Sequence, residues 1–483
     1  NGLRCSVTAM DDYPIENLPS ERMMIFVAAT TGQGDPPSNM RKFWRFLLRK
    51  SLPLNFLQNV KYAVLGLGDS SYEKYNFAAK KLTKRLHQLG AEEITPIALA
   101  DDQHDLGIDA IVEPWMKSIW KIVSDALDIP LNPINDSQVI ERFGIKISDS
   151  PLNFKVPRDI HRAELRINNS LKLAQVIDNK RTTAPDHFQD VRLIKLKMDD
   201  VDYEPGDILY VRPQNSSKQV SNFFNLLKEH DINLTPNTVL EITENEIKLP
   251  HCLKGRVTLG EIAEQYWDLN FKPRRSTMQV LAAISDNDLE KEKLTEFSTA
   301  VGQEELYSYV NRPRRNIVEV LRDFPHTAKN LNEKVLFEIM SPIKPRAFSI
   351  ASSNKFSKNE IHLLVAVVEY KTKLVDPRLG LCSNWLASLE NGKEIVCWLQ
   401  KGTFKFDWQV PMILIGPGTG VAAFRSILLD GAAEGRSLRN VLLFFGCRGK
   451  DKDYHCREDF ERLSKEYGLR VFCAFSRDQE DKV

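Results

Sequence analysis

The stretch RAFSIASS at residues 346–353 is the one around which the rest of the chain is organised. Arg346 can form a charge-assisted pair of hydrogen bonds with a pyrophosphate. Phe348 can lie flat on an aromatic ring system, and Ser349 can offer its hydroxyl to a ring nitrogen. These residue types suit a flavin dinucleotide. A barrel strand with Phe348 in the core and the serines facing outward explains the stretch equally well, so the neighbouring segments decide.

Two segments that follow favour the flavin. HLLVAVVEY (362–370) predicts a strand that ends at Tyr370, and GLCSNWL (380–386) predicts a glycine-led turn into a helix. A helix N-terminus of this kind presents backbone amides that bind a pyrophosphate. Together with RAFSIASS, these segments favour a flavin dinucleotide. The Pro-Gly-Asp turn before the apolar strand in EPGDILYVRP (204–213) predicts an antiparallel barrel.

A nucleotide-binding pattern comes next. PMILIGPGTGVAAFRSIL (411–428) has the order strand, glycine loop and helix, which brings backbone amides close to a phosphate. The run VFCAFSRD (471–478) ends in Ser476 and Arg477. A hydroxyl and a cation at a strand end suit the 2′-phosphate of NADPH, whereas NAD selectivity generally uses a carboxylate. We expect Lys482 to be a second cation.

The first third of the chain alternates between strands and helices. Apolar runs at 23–30, 62–68 and 93–100 predict strands, and the patterns at 38–50 and 76–89 predict helices. This alternation predicts a doubly wound parallel sheet, in which ligands bind beyond the carboxyl ends of the strands. The loops at those ends contain glycines and Tyr72, which can either stack on a flavin or pack on its own domain.

Composition excludes several classes of protein. Lys plus Arg is 66 and Asp plus Glu is 65 in 483 residues, so net charge favours neither nucleic acid nor membrane. The seven cysteines are scattered without a CxxC pair, which argues against disulfides and a zinc site. The apolar runs are too short to span a bilayer.

The fold class is therefore multidomain α/β with a β-barrel. Strand patterns begin again at VLFEIM (335–340) after a helical stretch, so the barrel is expected to be split by an insertion. Tyr266 and Trp267 are expected in its core. The predicted domains are a flavodoxin-like domain at 1–128, a linker at 129–157, an FAD barrel at 158–408 with its insertion at about 217–335, and a Rossmann-like NADP domain at 409–483.

ATTGQGDPPSNMRKFWRF (29–46), LGLGDSSYEKYN (65–76), ALADDQ (98–103) and the flavin and nucleotide motifs together resemble the diflavin reductases. The resemblance implies an NADPH-dependent flavoprotein oxidoreductase that transfers electrons from NADPH to FAD, then to FMN and to an external acceptor. It implies FMN contacts at Thr30, Thr31, Gly32, Gly34, Gly68, Tyr72, Asn76 and Asp102. It implies FAD contacts at Arg346, Phe348, Ser349, Tyr370, Gly380, Leu381, Cys382 and Ser383. It implies NADP contacts at Gly418, Thr419, Cys447, Ser476, Arg477 and Lys482.

Ser349 and Cys447 are the catalytic residues that the resemblance implies, with Cys447 beside the nicotinamide. A buried structural cysteine is the alternative for Cys447. The family's first strand and phosphate loop are expected before Asn1 and further nucleotide contacts after Val483. We therefore expect this chain, as written, to bind FMN weakly or not at all and to retain FAD better, and we expect its nucleotide binding to be impaired.

Within the family, the TTGQGDPP loop, the short linker and the lack of an anchor favour the branch of cytosolic iron–sulfur protein assembly. The implied acceptor is an anamorsin-type iron–sulfur protein, and the implied location is the cytoplasm. A cytochrome P450 reductase-like electron donor is the alternative in the same class. A non-catalytic flavodoxin-like binding module is the alternative in another class.

Overall fold

The computed structural model describes residues 5–32, 34–104, 107–130, 141–148, 159–299, 301–402, 404 and 406–478. They belong to two units, residues 1–137 and residues 138–483. Lys482, one of the predicted NADP contacts, lies outside the described residues. Among the residues described, no helix combines the length and the apolar character that crossing a bilayer requires.

The first unit is a parallel sheet with helices on both faces. Its elements are β1 (Met23–Ala29), α1 (Arg41–Leu47), β2 (Lys61–Gly68), α2 (Phe77–Gln88), β3 (Glu92–Glu93), β4 (Ala98–Asp101) and α3 (Asp109–Leu127). Strand β2 pairs in parallel with β1, β3 and β4. Helices α1 and α2 share one core cluster with β1 and β2, whereas α3 packs in a different cluster. This arrangement confirms the predicted flavodoxin-like fold.

The predicted strand over 93–100 is wrong in its middle. It is divided into β3 and β4, and residues 94–97 belong to neither. Pro96 lies in this gap and has no N–H to donate to a ladder. Asp101, at the end of β4, nevertheless lies at the same edge of the sheet as Gly68, which is its pairing partner in β2.

The second unit contains the barrel strands β6 (Leu171–Arg181), β7 (Val191–Lys197), β8 (Ile208–Val211), β11 (Arg346–Ser349), β12 (Glu360–Ala366) and β15 (Glu394–Gln400). They pair in the order β11–β8–β15–β6–β7–β12. The two outer strands of this order meet, because Ile350 forms a bridge with Leu363. The amide of Ala351 also donates to the carbonyl of His362 at 2.8 Å. The sheet therefore closes on itself around the core formed by Leu209, Val211, Leu363 and Cys397.

The insertion enters after β8 and is mainly helical. Its elements are α4 (Ser217–Glu229), β9 (Val239–Glu244), β10 (Arg256–Thr258), α5 (Leu259–Gln265), α6 (Arg275–Ile284), α7 (Asp288–Ser298), α8 (Gln303–Leu306), α9 (Ile317–Asp323), α10 (Pro325–Ala328) and α11 (Glu333–Ile339). Trp267 is 1% exposed and Tyr266 packs against the same core cluster, as predicted.

The strand predicted at VLFEIM (335–340) is wrong, because these residues belong to helix α11 and its C-terminal cap. The side chain of Asn332 accepts a hydrogen bond from the amide of Val335 at 3.0 Å and so caps the helix. Leu336 and Phe337 are both buried, although they lie on different sides of the helix. A short apolar run that is buried all round cannot be told from a buried strand by its periodicity.

The segment predicted as a linker contains a strand, β5 (Phe143–Ile147). It pairs antiparallel with β9 of the insertion. Phe143 is buried and meets Phe337 edge to face, with ring centroids 5.9 Å apart. These residues are therefore part of the insertion's core and not a free connection.

The remaining elements are β13 (Glu369–Tyr370), β14 (Arg378–Leu379), α12 (Leu381–Ala387), β16 (Met412–Ile415), α13 (Ala422–Ala433), β17 (Val441–Cys447), α14 (Lys450–Asp453), α15 (Arg457–Tyr467) and β18 (Arg470–Phe475). Strands β16, β17 and β18 form a parallel sheet in that order. The glycine loop lies between β16 and α13, as the sequence predicts.

Candidate functional site

A cleft of about 460 Å³ opens beyond the carboxyl end of β2 in the first unit. Its lining includes most of the predicted FMN contacts, namely Thr30, Gly32, Gly68, Tyr72, Asn76 and Asp102. Tyr72 is 65% exposed, so its ring is available to stack on a bound ring and is not used to pack its own domain. The loop of Gly32 and Gly34 is pinned at its base by paired backbone hydrogen bonds between Thr31 and Asp35, at 2.9 and 2.8 Å.

Asn76 shapes the floor of this cleft. It has a left-handed backbone with φ of 55° and is fully buried. Its Nδ2 donates to the carbonyl of Ala100 at 3.0 Å, while Oδ1 has no hydrogen-bond partner among the described residues. A Cβ added at Gly68 would lie 2.7 Å from Asn76, so only glycine leaves room there. An unsatisfied buried oxygen at a cleft wall fits a ligand that donates a hydrogen bond.

Two carboxylates hold the loops beside the cleft, and one of them, Asp69, lines it. Asp101 accepts hydrogen bonds from the amides of Ser70 and Gln103, at 2.8 and 3.0 Å. Hydrogen bonding from Ser70 is the main cause that lowers the pKa of Asp101. Hydrogen bonding from Ser71 likewise lowers the pKa of Asp69. The two carboxylates thus organise the loops after β2 and β4.

The flavin stretch in the second unit forms β11, which pairs with β8. Ala347 and Ser349 are exposed on one face of this strand, while Phe348 is half-buried and packs against the barrel core. The structure leaves part of the Phe348 ring exposed, and its contact with FAD stays a prediction. Ser349 faces outward, where its hydroxyl is accessible to a ligand.

An aromatic pair that the sequence did not indicate lies on the face of Ser349. Tyr210 of β8 is the register partner of Ala347 on β11 and of Trp398 on β15. The rings of Tyr210 and Trp398 stack with centroids 5.2 Å apart and an interplanar angle of 6°. Only the antiparallel register of β11, β8 and β15 brings these distant residues together, so no local motif could have indicated them.

The predicted pyrophosphate site lies at the start of α12. Gly380 precedes the helix, and a Cβ there would lie 2.7 Å from Ser383 Oγ. Ser383 Oγ accepts the amide of Val368 at 3.0 Å, and Cys382 is buried in the barrel core. Their side chains are therefore turned inward, and the first-turn amides are the groups this helix can offer to a phosphate.

Arg346 lies close to this helix start. Burial raises the pKa of the Cys382 thiol to about 12, and the charge of Arg346 acts in the opposite direction. Arg346 Nη1 donates to the carbonyl of Lys344 at 2.7 Å, which fixes its guanidinium. Tyr370 is 43% exposed in the two-stranded sheet of β13 and β14. The cation, the amides and the ring fit the predicted FAD.

The glycine loop of the nucleotide domain has the geometry that close approach requires. Gly418 has φ of 53°, and a Cβ at Gly416 would lie 2.8 Å from the ring of Phe424. Thr419 follows in a short 3₁₀ turn before α13. At the ends of β17 and β18, the amide of Ser476 donates to the carbonyl of Cys447 at 3.0 Å. Arg477 is exposed and enters no ion pair within the described residues, so its charge is available to a phosphate.

The surroundings of Cys447 favour its neutral thiol over the thiolate. Burial is the largest of the effects that raise the pKa of its thiol to about 12. The thiol donates to the carbonyl of Gly449 at 3.7 Å. The position of Cys447 beside a nicotinamide stays a prediction.

His161 and Glu164, which precede β6, form a cluster with Cys252 of the insertion, and their ligand atoms lie within 4.8 Å of one another. Arg212 Nη1 contacts Glu164 Oε2 at 2.7 Å and His161 Nδ1 at 2.9 Å. The guanidinium already supplies positive charge to this group of residues. We therefore assign no metal to the cluster.

Comparison with known proteins bears on all three sites. Residues 1–115 match the family described as Flavodoxin, residues 167–385 match FAD binding domain, and residues 414–483 match Oxidoreductase NAD-binding domain. The chain is also similar to proteins named NADPH-dependent diflavin oxidoreductase 1. The relative from Xenopus laevis is 46% identical over 99% of this chain and 82% of its own length. The relative from Danio rerio is 44% identical over 100% and 82%, and that from Dictyostelium discoideum is 36% identical over 97% and 77%.

The three domains and their sites define a flavoprotein oxidoreductase that uses FAD, FMN and NADPH. Since these relatives match nearly the whole chain, the chain belongs to the NADPH-dependent diflavin oxidoreductases. When bound, the flavins would supply the chemistry that takes a hydride from NADPH and passes single electrons onward. The residues of this chain bind, orient and shield these groups.

Proposed function

We propose that this reductase passes electrons from NADPH through FAD and FMN to an iron–sulfur protein in cytosolic iron–sulfur cluster assembly. The proposed acceptor is an anamorsin-type protein, and the proposed location is the cytoplasm. The main support is the similarity along the whole chain to relatives that share one name in frogs, fish, amoebae and plants. The resemblance of the TTGQGDPP loop to the iron–sulfur assembly branch supports the choice of acceptor.

The cleft of the first unit suits a protein acceptor. Tyr72 is exposed at its edge, and the cleft opens to solvent beyond the carboxyl ends of β2 and β4. Electrons that leave from this edge can reach a cluster on another protein without rearrangement of the core. A cytochrome P450 is the second candidate acceptor, because the same domains serve electron donors of that class.

The test is a competition between acceptors. The flavin-loaded protein with NADPH is offered either an anamorsin-type [2Fe–2S] protein or a cytochrome P450, and the reduced form of each is followed by absorbance. We expect faster reduction of the iron–sulfur protein. Faster reduction of the cytochrome would contradict the proposed acceptor while leaving the diflavin chemistry intact.

A further inference from the structure

Two helices of the first unit carry positive charge without any negative charge. Residues 36–60 contain no Asp or Glu, and neither do residues 74–91, although the whole chain is nearly balanced at 66 to 65. We call their cations the basic face. It comprises Arg41, Lys42, Arg45, Arg49 and Lys50 from the first stretch, and Lys74, Lys80, Lys81, Lys84 and Arg85 from the second.

The basic face is one continuous surface, because α1 and α2 lie side by side. Both helices pack in the same core cluster against β1 and β2. Arg85 joins them directly, since its Nε donates to the carbonyl of Leu47 at 2.6 Å and its Nη2 to that of Arg49 at 3.3 Å. Helix α3 packs in a different cluster and carries both signs, including the ion pair of Lys117 with Glu113 at 3.3 Å.

The charge of this surface is not neutralised. In the part of the chain that the structure describes, the basic face makes no ion pair with Asp or Glu. Lys80 Nζ instead donates to the carbonyl of Tyr75 at 3.0 Å, and Lys81 Nζ donates to that of Gly34 at 3.3 Å. Carbonyls hold the side chains in place while the positive charge remains.

This pattern of like charges lowers the stability of α1 and α2 themselves. Like charges four residues apart repel each other on a helix, as Arg41 and Arg45 do on α1 and Lys80 and Lys84 do on α2. Folding alone gives no reason to exclude every acidic residue from both helices. The exclusion is explained if the surface meets a negatively charged partner.

The basic face begins at the rim of the flavin cleft. Lys74 lines the cleft, and Lys81 is bonded to Gly34 in the glycine loop that borders it. The cleft itself is lined by Asp69 and Asp102 as well as by Lys74, so the attraction of a negatively charged partner comes from the basic face beside the cleft. Charges of one sign on such a surface steer oppositely charged partners and raise their rate of association. The surface is therefore placed to bring a negatively charged protein to the edge where electrons leave.

We propose that the basic face docks an acidic protein that accepts electrons from the first unit. The proposal rests on the proposed function and adds the chemistry of its partner, a surface rich in carboxylates. One NADPH supplies two electrons, so two one-electron acceptors are reduced and one proton is released for each NADPH oxidised. An anionic membrane is the other ligand of this charge, and the placement of Lys74 and Lys81 at the cleft favours the protein.

The test compares two charge reversals of equal size. Lys80→Glu with Lys84→Glu changes α2, and Lys117→Glu with Lys121→Glu changes exposed residues with the same spacing on α3. The probe is an acidic [2Fe–2S] ferredoxin, and its binding to the flavin-loaded protein is measured by biolayer interferometry at low and high salt. We expect the α2 variant to bind about tenfold more weakly at low salt, and the α3 variant to change less than about twofold.

Equal weakening by both variants, or no weakening by either, would overturn the proposal. So would wild-type protein that binds cationic cytochrome c as tightly as the acidic ferredoxin. The α2 variant could instead bind phosphatidylserine vesicles more weakly than the wild type while its binding to ferredoxin is unchanged. That result would assign the surface to a membrane.

The reduction of a neutral quinone by NADPH separates this proposal from the proposed function. We expect the same quinone rate in both variants and in the wild type, since an uncharged acceptor is not steered. A wild-type protein that reduces no quinone would contradict the reductase activity, whereas the binding data would still decide whether the basic face docks an acidic protein.

Discussion

The hydroxyl of Ser353 donates a hydrogen bond of 2.7 Å to Oδ1 of Asp430. Both residues are buried, and they join the segment after β11 to the middle of α13. Ser426 Oγ donates to the carbonyl of Ser352 at 2.5 Å, and Arg425 Nη1 donates to that of Ala351 at 2.6 Å. The strand with Ser349 and the helix after the glycine loop are thus held by one buried polar network.

Ser353→Ala should destabilise the second unit. The change removes the donor to a buried carboxylate oxygen, which costs about 1–3 kcal/mol of the free energy of unfolding. Urea unfolding followed by tryptophan fluorescence measures this loss. The control is Ser349→Ala, which changes an exposed hydroxyl on the neighbouring strand. Equal stability of the two variants would show that the contact with Asp430 contributes nothing.

Arg477→Ala should weaken NADPH binding and leave NADH binding nearly unchanged. A charge-assisted contact with a phosphate contributes roughly 1.5–3 kcal/mol, so the loss should be about tenfold or more. Calorimetric titration with each nucleotide measures it. The control is Arg470→Ala at the other end of β18, where the cation lies over the ring of Phe472 at 5.6 Å. Equal losses for NADPH and NADH would contradict the assignment of Arg477 to the 2′-phosphate.

Ser349→Ala should slow flavin reduction by NADPH without releasing FAD. Its hydroxyl is exposed on β11, and the loss of one hydrogen bond of about 1.4 kcal/mol to the reacting ring slows the step about tenfold. Stopped-flow absorbance gives the rate, and chromatography of the released flavin gives the FAD content. If FAD is lost while the rate per bound flavin stays the same, Ser349 holds the cofactor and does not act on the hydride step.

The second unit should lose stability as the pH falls from 6.5 to about 4. Burial lowers the pKa of His455 to about 4, whereas an unfolded histidine titrates near 6.5. Over this pH range the unfolded chain binds a proton at His455 and the native chain does not, so acid favours unfolding. The contribution of His455 reaches about 3 kcal/mol.

Urea unfolding at a series of pH values measures this slope. His455→Gln should flatten it, whatever its effect at neutral pH, whereas His326→Gln at an exposed position should leave it unchanged. His362, whose pKa burial also lowers, contributes in the same direction and remains in both variants. A slope unaffected by His455→Gln would place the acid sensitivity elsewhere.

The sequence predicted the fold best where its signals are local. The glycine loop before α13 and the glycine-led helix α12 were predicted correctly because strand, turn and helix follow one another directly. Helix α11 was not, since its apolar residues are buried on every side. Strand β5 was missed because its partner, β9, lies far along the chain and the strand has no turn signal of its own.

The candidate sites were also predictable only where their residues follow local sequence signals. The FMN cleft gathers residues from loops that the sequence marks with glycine and tyrosine. The inward turn of Ser383 and the stacking of Tyr210 on Trp398 depend on the barrel register, which no single stretch encodes. The buried network of Ser353 and Asp430 likewise follows from packing between segments distant in sequence.

The pairing of β8 with β11 makes the helical insertion a single connection between two neighbouring strands of the barrel. Val211 and Arg346 are register partners on adjacent antiparallel strands, so residues 212–345 form the loop of a single oversized β-hairpin. Closing a loop costs entropy that grows only with the logarithm of its length. A short turn grafted between these two positions should therefore preserve the strand pairing, and the barrel becomes a scaffold from which the whole insertion can be exchanged.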